Sequence, residues 1–319
     1  MNRVLICVKN AFPKATKMII WLLKLMLPVA FAVSFLQYWG VIDWMAQYLS
    51  PVFTHIGLPG VSAIVFITSL FLPLYSVLAV IATLTLGMRE VTILAIMCLI
   101  SHSLIVETAV QKKTGSSAVT MLFVRIGMSF VAAFLLNWLL PTTGFAISHP
   151  TGQAVVFTTV PEVLFQWLKS SMYLIIKISL ILYGLFILQN ILNEFKLLDV
   201  IARLFAPLMQ FFGLSRNVSF LWFVAQTLGL SYGSAVMIEQ VDNHIVSREE
   251  ANMLNYHIAI NHSLLEDTLL FVSIGVSMGW IVFPRIGLAL LVVWGVRLLS
   301  RFFPQIANPF GKTEKSHSL

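Results

Sequence analysis

Charge is what this chain has least of. Asp, Glu, Lys and Arg make up 10% of its 319 residues, where a soluble domain carries roughly a quarter. No polar block is long enough to stand as a soluble domain, so a water-exposed globular fold is excluded. Cysteine is nearly absent. Cys7 and Cys98 lie far apart, which excludes a disulfide framework and a CxxC metal site. The signatures HExxH, GxSxG and the P-loop are missing too. Those absences argue against an enzyme, against a bound cofactor, and against transport driven by nucleotide hydrolysis on this chain alone.

What is present is apolar sequence. Hydrophobic residues are 59% of the chain, and the mean hydropathy is +0.91. That is enough for several membrane spans of about 20 residues each. A net charge of +7 would point a soluble protein toward nucleic acid. Here the basic residues flank apolar runs, the pattern of cytoplasmic anchoring, so the excess reads as topology and no nucleic-acid partner is expected. Arg3, Lys9, Lys14 and Lys17 precede the run from Met18 to Trp39. That run is long enough to span and no small-residue cleavage site follows, so it reads as a retained first helix.

The chain repeats itself. Residues 41–58 (VIDWMAQYLSPVFTHIGL) recur as 197–214 (LLDVIARLFAPLMQFFGL), and 100–108 (ISHSLIVET) recur as 260–268 (INHSLLEDT). In the second pair His102, Ser103, Leu104 and Thr108 match His262, Ser263, Leu264 and Thr268, with Glu107 at the position of Asp267. Two blocks in the same order define an internal repeat. It divides the chain into a first repeat at 1–140, a connector at 141–171, a second repeat at 172–304 and a tail at 305–319. Each repeat reads as an apolar helix (18–39 and 173–194), an amphipathic stretch (43–55 and 198–211) and an interrupted apolar segment (61–87 and 217–240). A helix carrying the HSL motif (90–110 and 248–270) and a closing apolar helix (118–140 and 281–303) follow. A surface helix is expected at 161–170.

The interruptions at Phe71-Leu72-Pro73-Leu74-Tyr75-Ser76 and Gly229-Leu230-Ser231-Tyr232-Gly233-Ser234 mark broken helices. With each drawn as a re-entrant hairpin, Lys112, Lys113, Lys196, Arg203, Arg216, Arg301, Lys312 and Lys315 share the side of the N-terminus. Residues 42–57 and 141–168, which hold no Lys or Arg, lie outside. That obeys the positive-inside rule, with Arg89, Lys169 and Lys177 as exceptions. The expected fold is an all-α polytopic membrane protein of two homologous, inverted halves. Each half has transmembrane helices, an amphipathic helix and a broken, re-entrant hairpin. The expected location is the cytoplasmic (inner) membrane, with both termini cytoplasmic.

Ionisable groups inside apolar helices cost a few kcal/mol or more, which marks them as functional candidates. On a continuous helix His262 and Glu266 share one face, Ser263 and Asp267 the next, and Ser103 and Glu107 pair likewise. With His102 and the neighbouring Asn255, His257 and Asn261, they form a candidate solute- or cation-binding set. A second set is Gln226, Ser231, Tyr232 and Ser234, where glycine-rich half-helix ends present free backbone groups. The alternative is structural: these polar residues satisfy backbone left unpaired by the broken hairpins. Ser247-x-x-Glu250 reads as a capping box, and the polar run from Glu239 to His244 before it as a loop.

The Gly57-Leu58-Pro59-Gly60 start of the interrupted segment, Arg89-Glu90-Val91-Thr92 and the duplicated HSL(x2)(E/D)T motif resemble the nucleoside recognition (Gate) domain family. That grouping is linked to concentrative nucleoside transporters and the membrane part of the ferrous iron transporter FeoB. The resemblance implies a transporter or permease for a small polar solute, nucleoside-like in character, with the bilayer as its surroundings. It leaves open a divalent metal cargo, a non-transporting scaffold or accessory subunit, and self-association into a homo-oligomer. Unlike the iron transporter, this chain has no GTPase domain.

Overall fold

The computed structural model describes residues 3–141, 159–227 and 229–303. Most of the connector and the tail fall outside the described residues. Among the described residues every element is helical. In chain order they are α1 (Arg3–Tyr38), α2 (Val41–His55), α3 (Ser62–Phe71), α4 (Leu74–Ile81) and α5 (Met88–Ser101). Then come α6 (Leu104–Lys113), α7 (Ala118–Leu139), α8 (Val160–Glu194), α9 (Leu197–Phe211) and α10 (Ser219–Thr227). The last four are α11 (Gly229–Asp242), α12 (Arg248–Ile260), α13 (Glu266–Ser273) and α14 (Met278–Phe302). Five stretches are long and apolar enough to cross a bilayer: α1, α5 with α6, α7, α8 and α14. The protein is an all-α polytopic membrane protein.

The interrupted segments break where Pro73 and Gly229 place them. α3 has 10 residues and α4 has 8, so neither leg, at about 1.5 Å per residue, reaches across a hydrocarbon core of about 30 Å. α3 packs on α4, and α10 on α11. Three expectations need correction. The HSL helices are not continuous: α5 ends at Ser101 and α12 at Ile260, and new helices begin at Leu104 and Glu266. The 161–170 helix is the start of α8, because Pro161 falls in the first turn, where its missing N–H costs nothing. The run from Glu239 to Asp242 continues α11 rather than forming a loop.

The chain divides into two compact units, each drawing on both halves of the sequence. The first comprises Met1–Ser103, Ser129–Ile191 and Asp267–Ile281. Within it α1 packs on α2 and α4, and α3 on α2, α4 and α5. α1 and α8 run antiparallel. Asn190 Nδ2 donates to the Cys7 carbonyl at 3.1 Å, the Thr16 and Tyr183 hydroxyls lie 2.8 Å apart, and Phe31 meets Trp167 edge-on at 5.3 Å. Positions thus rise along one helix as they fall along the other. α5 is buried on nearly every side from Val91 to Ser101, which suits its lack of an apolar/polar periodicity.

The second unit comprises Leu104–Met128, Leu192–Glu266 and Val282–Leu319. Its core forms where amphipathic α9 lays its apolar face on α10, and α10 packs on α11 and α12. Phe205, Phe212, Trp222 and Phe223 interlock there, with ring centroids 5.5 to 6.0 Å apart, a spacing at which tilted and offset aromatic pairs attract.

The repeat is written into the backbone as well. Left-handed φ angles recur in matched pairs: Gly40 (71°) with Lys196 (51°), and Gly57 (76°) with Gly213 (73°). Ser103 (46°) pairs with Ser263 (47°), and Gly115 (110°) with Gly275 (104°). L side chains seldom adopt such angles, so eight of them in repeat register are a stronger sign of duplication than the apolar matches.

Candidate functional site

In the second unit the polar residues gather where two helix breaks meet. α12 begins with Ser247 accepting from the Glu250 N–H at 3.2 Å, while Glu250 accepts from the Ser247 N–H at 3.0 Å, so the expected capping box is present. α12 then stops at Ile260. A continuing helix would bond the Ile260 and His262 carbonyls to N–H groups four residues on. Instead Arg285, fully buried, donates from Nε to Ile260 O at 3.3 Å and from Nη2 to His262 O. The freed segment from Asn261 to Leu265 pairs with the end of α10. Ser263 N–H donates to Ala225 O at 2.9 Å, Leu265 N–H to Gln226 O at 3.2 Å, and Gln226 Nε2 to Asn261 O at 2.6 Å. Gly229 permits this approach: a Cβ there would stand 3.0 Å from Ser263 Oγ.

The first unit holds the matching contact, Ser103 N–H to Ser69 O at 2.8 Å. In both repeats the motif serine is therefore a backbone device. Its left-handed angle turns the chain so that an N–H freed by one helix break meets a carbonyl freed by the other. In lipid, where no water serves such groups, this pairing is obligatory.

Charged groups surround the breaks. In the second unit Glu107 Oε2 lies 2.6 Å from Arg125 Nη2, and its Oε1 lies 3.3 Å from His262 Nε2. His262 Nδ1 lies 2.7 Å from the Ile258 carbonyl. In the first unit His102 Nε2 stands 3.9 Å from Asp267 Oδ2. All five side chains are buried. The geometry thus pairs Glu107 with His262. The sequence pattern had aligned His262 with Glu266, but that alignment needed the unbroken helix the structure lacks.

Sequence reasoning missed the two arginines that organise this region. Arg125 and Arg285 head the largest fully buried side chains in the protein. Both open the tripeptide Arg-Ile-Gly, at 125–127 and 285–287, in the same register as the duplicated HSL motif. That recurrence is the signal that finds them.

Three neighbouring candidates have a further property, which Oδ1 of Asn255 also shows. The side-chain oxygen and nitrogen of Asn261, Oε1 of Gln226 and Nε2 of His257 are buried and have no hydrogen-bond partner among the described residues. Asn261 caps the C-terminal end of α12 in an extended conformation, its N–H donating to the His257 carbonyl at 2.9 Å, and Gln226 is bonded to the Asn261 carbonyl. Trp222 Nε1 donates to His257 Nδ1 at 3.3 Å, so the neutral ring carries its proton on Nε2. The group therefore offers two donors, from Nε2 of His257 and Nδ2 of Asn261, and two acceptors. Phe212 and Trp222 lie against His257, with centroids 5.0 and 6.0 Å away.

The other candidates fall elsewhere. Asn255 Nδ2 donates to Ser116 Oγ at 2.8 Å and Thr114 Oγ1 at 2.9 Å, tying α12 to the turn after α6. Glu266 opens α13. Ser231, Tyr232 and Ser234 belong to the first turns of α11, and their side chains lie outside the described residues.

Residues 19–117 match the family described as nucleoside recognition, Gate. The chain is also similar to the uncharacterized membrane protein YvoD of Bacillus subtilis (strain 168). The two are 30% identical over 277 residues, which is 86% of this chain and 88% of that protein. No solved structure matches.

Proposed function

We propose that this chain, which belongs to the nucleoside recognition (Gate) family of integral membrane proteins, is a permease that binds a small neutral solute with nucleoside-like hydrogen-bonding edges. Family and relative both point to a non-enzymatic membrane protein. The observation that carries the reading is the unpartnered set at Gln226, His257 and Asn261. Leaving one buried polar atom unpaired costs about 1–3 kcal/mol. Four such atoms around one helix break are difficult to account for as packing alone. A solute presenting both donors and acceptors, as a nucleobase edge does, satisfies them together, and the aromatic wall of Phe212 and Trp222 favours a flat, partly apolar ligand.

The topology proposed with it is two inverted repeats with re-entrant hairpins and a solute site near the midplane. Both termini are placed on the cytoplasmic side of the inner membrane. The antiparallel run of α1 against α8, the first helices of the two repeats, supports the inversion. It also sets the N-terminal end of α1, which carries Arg3 and Lys9, alongside Asn190 near the end of α8.

A divalent cation is the weaker reading of the cargo. Arg125 lies within 2.6 Å of the Glu107 carboxylate, so a second cation there meets a fixed positive charge already in contact with its ligand. Uptake of labelled nucleosides into proteoliposomes tests the function. Accumulation that Gln226→Ala abolishes is the expected result. Uptake of ferrous or manganous ion with no nucleoside uptake overturns it, and uptake of neither favours a scaffold.

A further inference from the structure

The first unit contains a cavity that the nucleoside-type reading does not use. It encloses about 510 Å³, within the range of ligand sites. One wall is a face of α8 carrying Gln166, Lys169, Ser170, Tyr173 and Lys177 at helical spacing. The opposite wall, from the end of α4 through the start of α5, is wholly apolar, with Leu78, Ile81, Leu84, Leu86 and Val91 among its residues. Ile274 completes the lining.

The two lysines are the unusual part. Lys177 stands at the midpoint of α8, 17 residues from either end, or about 25 Å along a membrane-spanning helix. A lysine so placed costs at least a few kcal/mol unless it is partnered. It donates to the Ser273 carbonyl at 2.6 Å, at the C-terminal end of α13, and sits 4.3 Å from the centre of the Tyr173 ring. An amine has three donors, so this bond leaves capacity facing the cavity. Lys169 lies two turns away on the same wall, with no hydrogen bond or ion pair among the described residues. Neither lysine fits the basic side of the chain, so topology does not account for them. Two basic groups on one wall and hydrocarbon on the other match a ligand with an anionic head and an apolar tail.

We infer that this cavity binds an acidic amphiphile, its phosphate head held by Lys169 and Lys177 and its chain lying along Leu78, Ile81 and Leu86. The shared chemistry, a phosphate on a hydrocarbon chain, is found in an acidic phospholipid of the bilayer and in a soluble alkyl phosphate. Thermal unfolding of the full chain in a non-ionic detergent separates the sources. The probes are phosphatidylglycerol, dodecyl phosphate, phosphatidylcholine and inorganic phosphate. The expected result is a rise in Tm with phosphatidylglycerol that phosphatidylcholine does not match and that Lys169→Gln removes. A rise with dodecyl phosphate alone, also lost in Lys169→Gln, keeps the site and assigns it a soluble ligand. Lys169→Gln is the decisive variant because Lys169 supports no helix end, whereas Lys177→Gln removes the contact to Ser273 and risks misfolding. Equal shifts with both phospholipids, a shift reproduced by inorganic phosphate alone, a shift unchanged in Lys169→Gln, or no shift at all overturns the proposal.

Discussion

Ser103 and Ser263 occupy the same place in the two repeats, adopt the same left-handed backbone at φ 46° and 47°, and donate their N–H groups to Ser69 O and Ala225 O. The duplicated motif is thus first of all a way to break a helix inside a membrane without orphaning its backbone. A β-branched side chain at such an angle is strained by roughly 1–2 kcal/mol, whereas glycine is not. Ser263→Gly is therefore expected to fold with little change in Tm, and Ser263→Ile to lose stability. Thermal unfolding in detergent checks both, and equal behaviour of the two variants contradicts the account.

The buried ion pair makes a second prediction. Removing either Glu107 or Arg125 alone breaks the buried ion pair, at a cost of about 3–5 kcal/mol. Glu107→Ala with Arg125→Ala removes both charges, so the double variant is expected to be less destabilised than the two single losses added together. A double-mutant cycle on unfolding free energies measures this coupling, and strict additivity contradicts it.

Close backbone approach makes a third. A Cβ at Gly60 would be driven into the carbonyl oxygen of Ala46, a backbone atom that no rotamer change moves. At Gly127, within α7, a Cβ meets nothing within 4 Å. Gly60→Ala is expected to impair folding and yield, while Gly127→Ala is neutral or stabilising by about 0.5–1 kcal/mol. Expression and Tm of the two variants compare them directly.

The cap of α12 makes a fourth, with a pH sign. Partial burial pushes the Glu250 acid up, but bonds from Ser215, Ser247 and Asn217 outweigh it and hold the group below its ordinary value. A depressed folded-state pKa contributes stability above the unfolded value near 4.3 and loses it as pH falls through the folded value. Unfolding measured against pH is expected to show this loss at the acid end in the wild type and a smaller one in Glu250→Gln. Ser247→Ala is expected to cost about 0.5–2 kcal/mol at neutral pH.

Much of this fold is legible in the chain because helix breaks at Pro73 and Gly229 carry their usual residues, and because amphipathic α2 and α9 share Asp43 with Asp199, Ala46 with Ala202 and Pro51 with Pro207 in register. The breaks inside the HSL motifs are not legible. No proline or glycine marks them, and a serine at a left-handed angle looks like any helical serine. The carbonyls freed at the second break are served from far off in sequence, by the guanidinium of Arg285 at Ile260 and His262. Because of that break His262 and Glu266 belong to no common helix and share no face. His257, Asn261 and Gln226 were visible as polar residues in apolar surroundings, but only the structure gathers them at one helix break, while Asn255 Nδ2 ties α12 to the turn after α6.

Ligand-dependent unfolding of wild type and Asn261→Leu, with adenosine, uridine and inosine, tests the central claim most directly. Asn261 contributes no side-chain hydrogen bond within the described protein, so leucine is expected to leave the unliganded Tm unchanged or raise it. A nucleoside at a hundredfold excess over its dissociation constant is expected to stabilise the wild type by about 2.7 kcal/mol and to leave Asn261→Leu unmoved. A wild-type protein indifferent to every nucleoside, or a shift that survives in Asn261→Leu, contradicts the account.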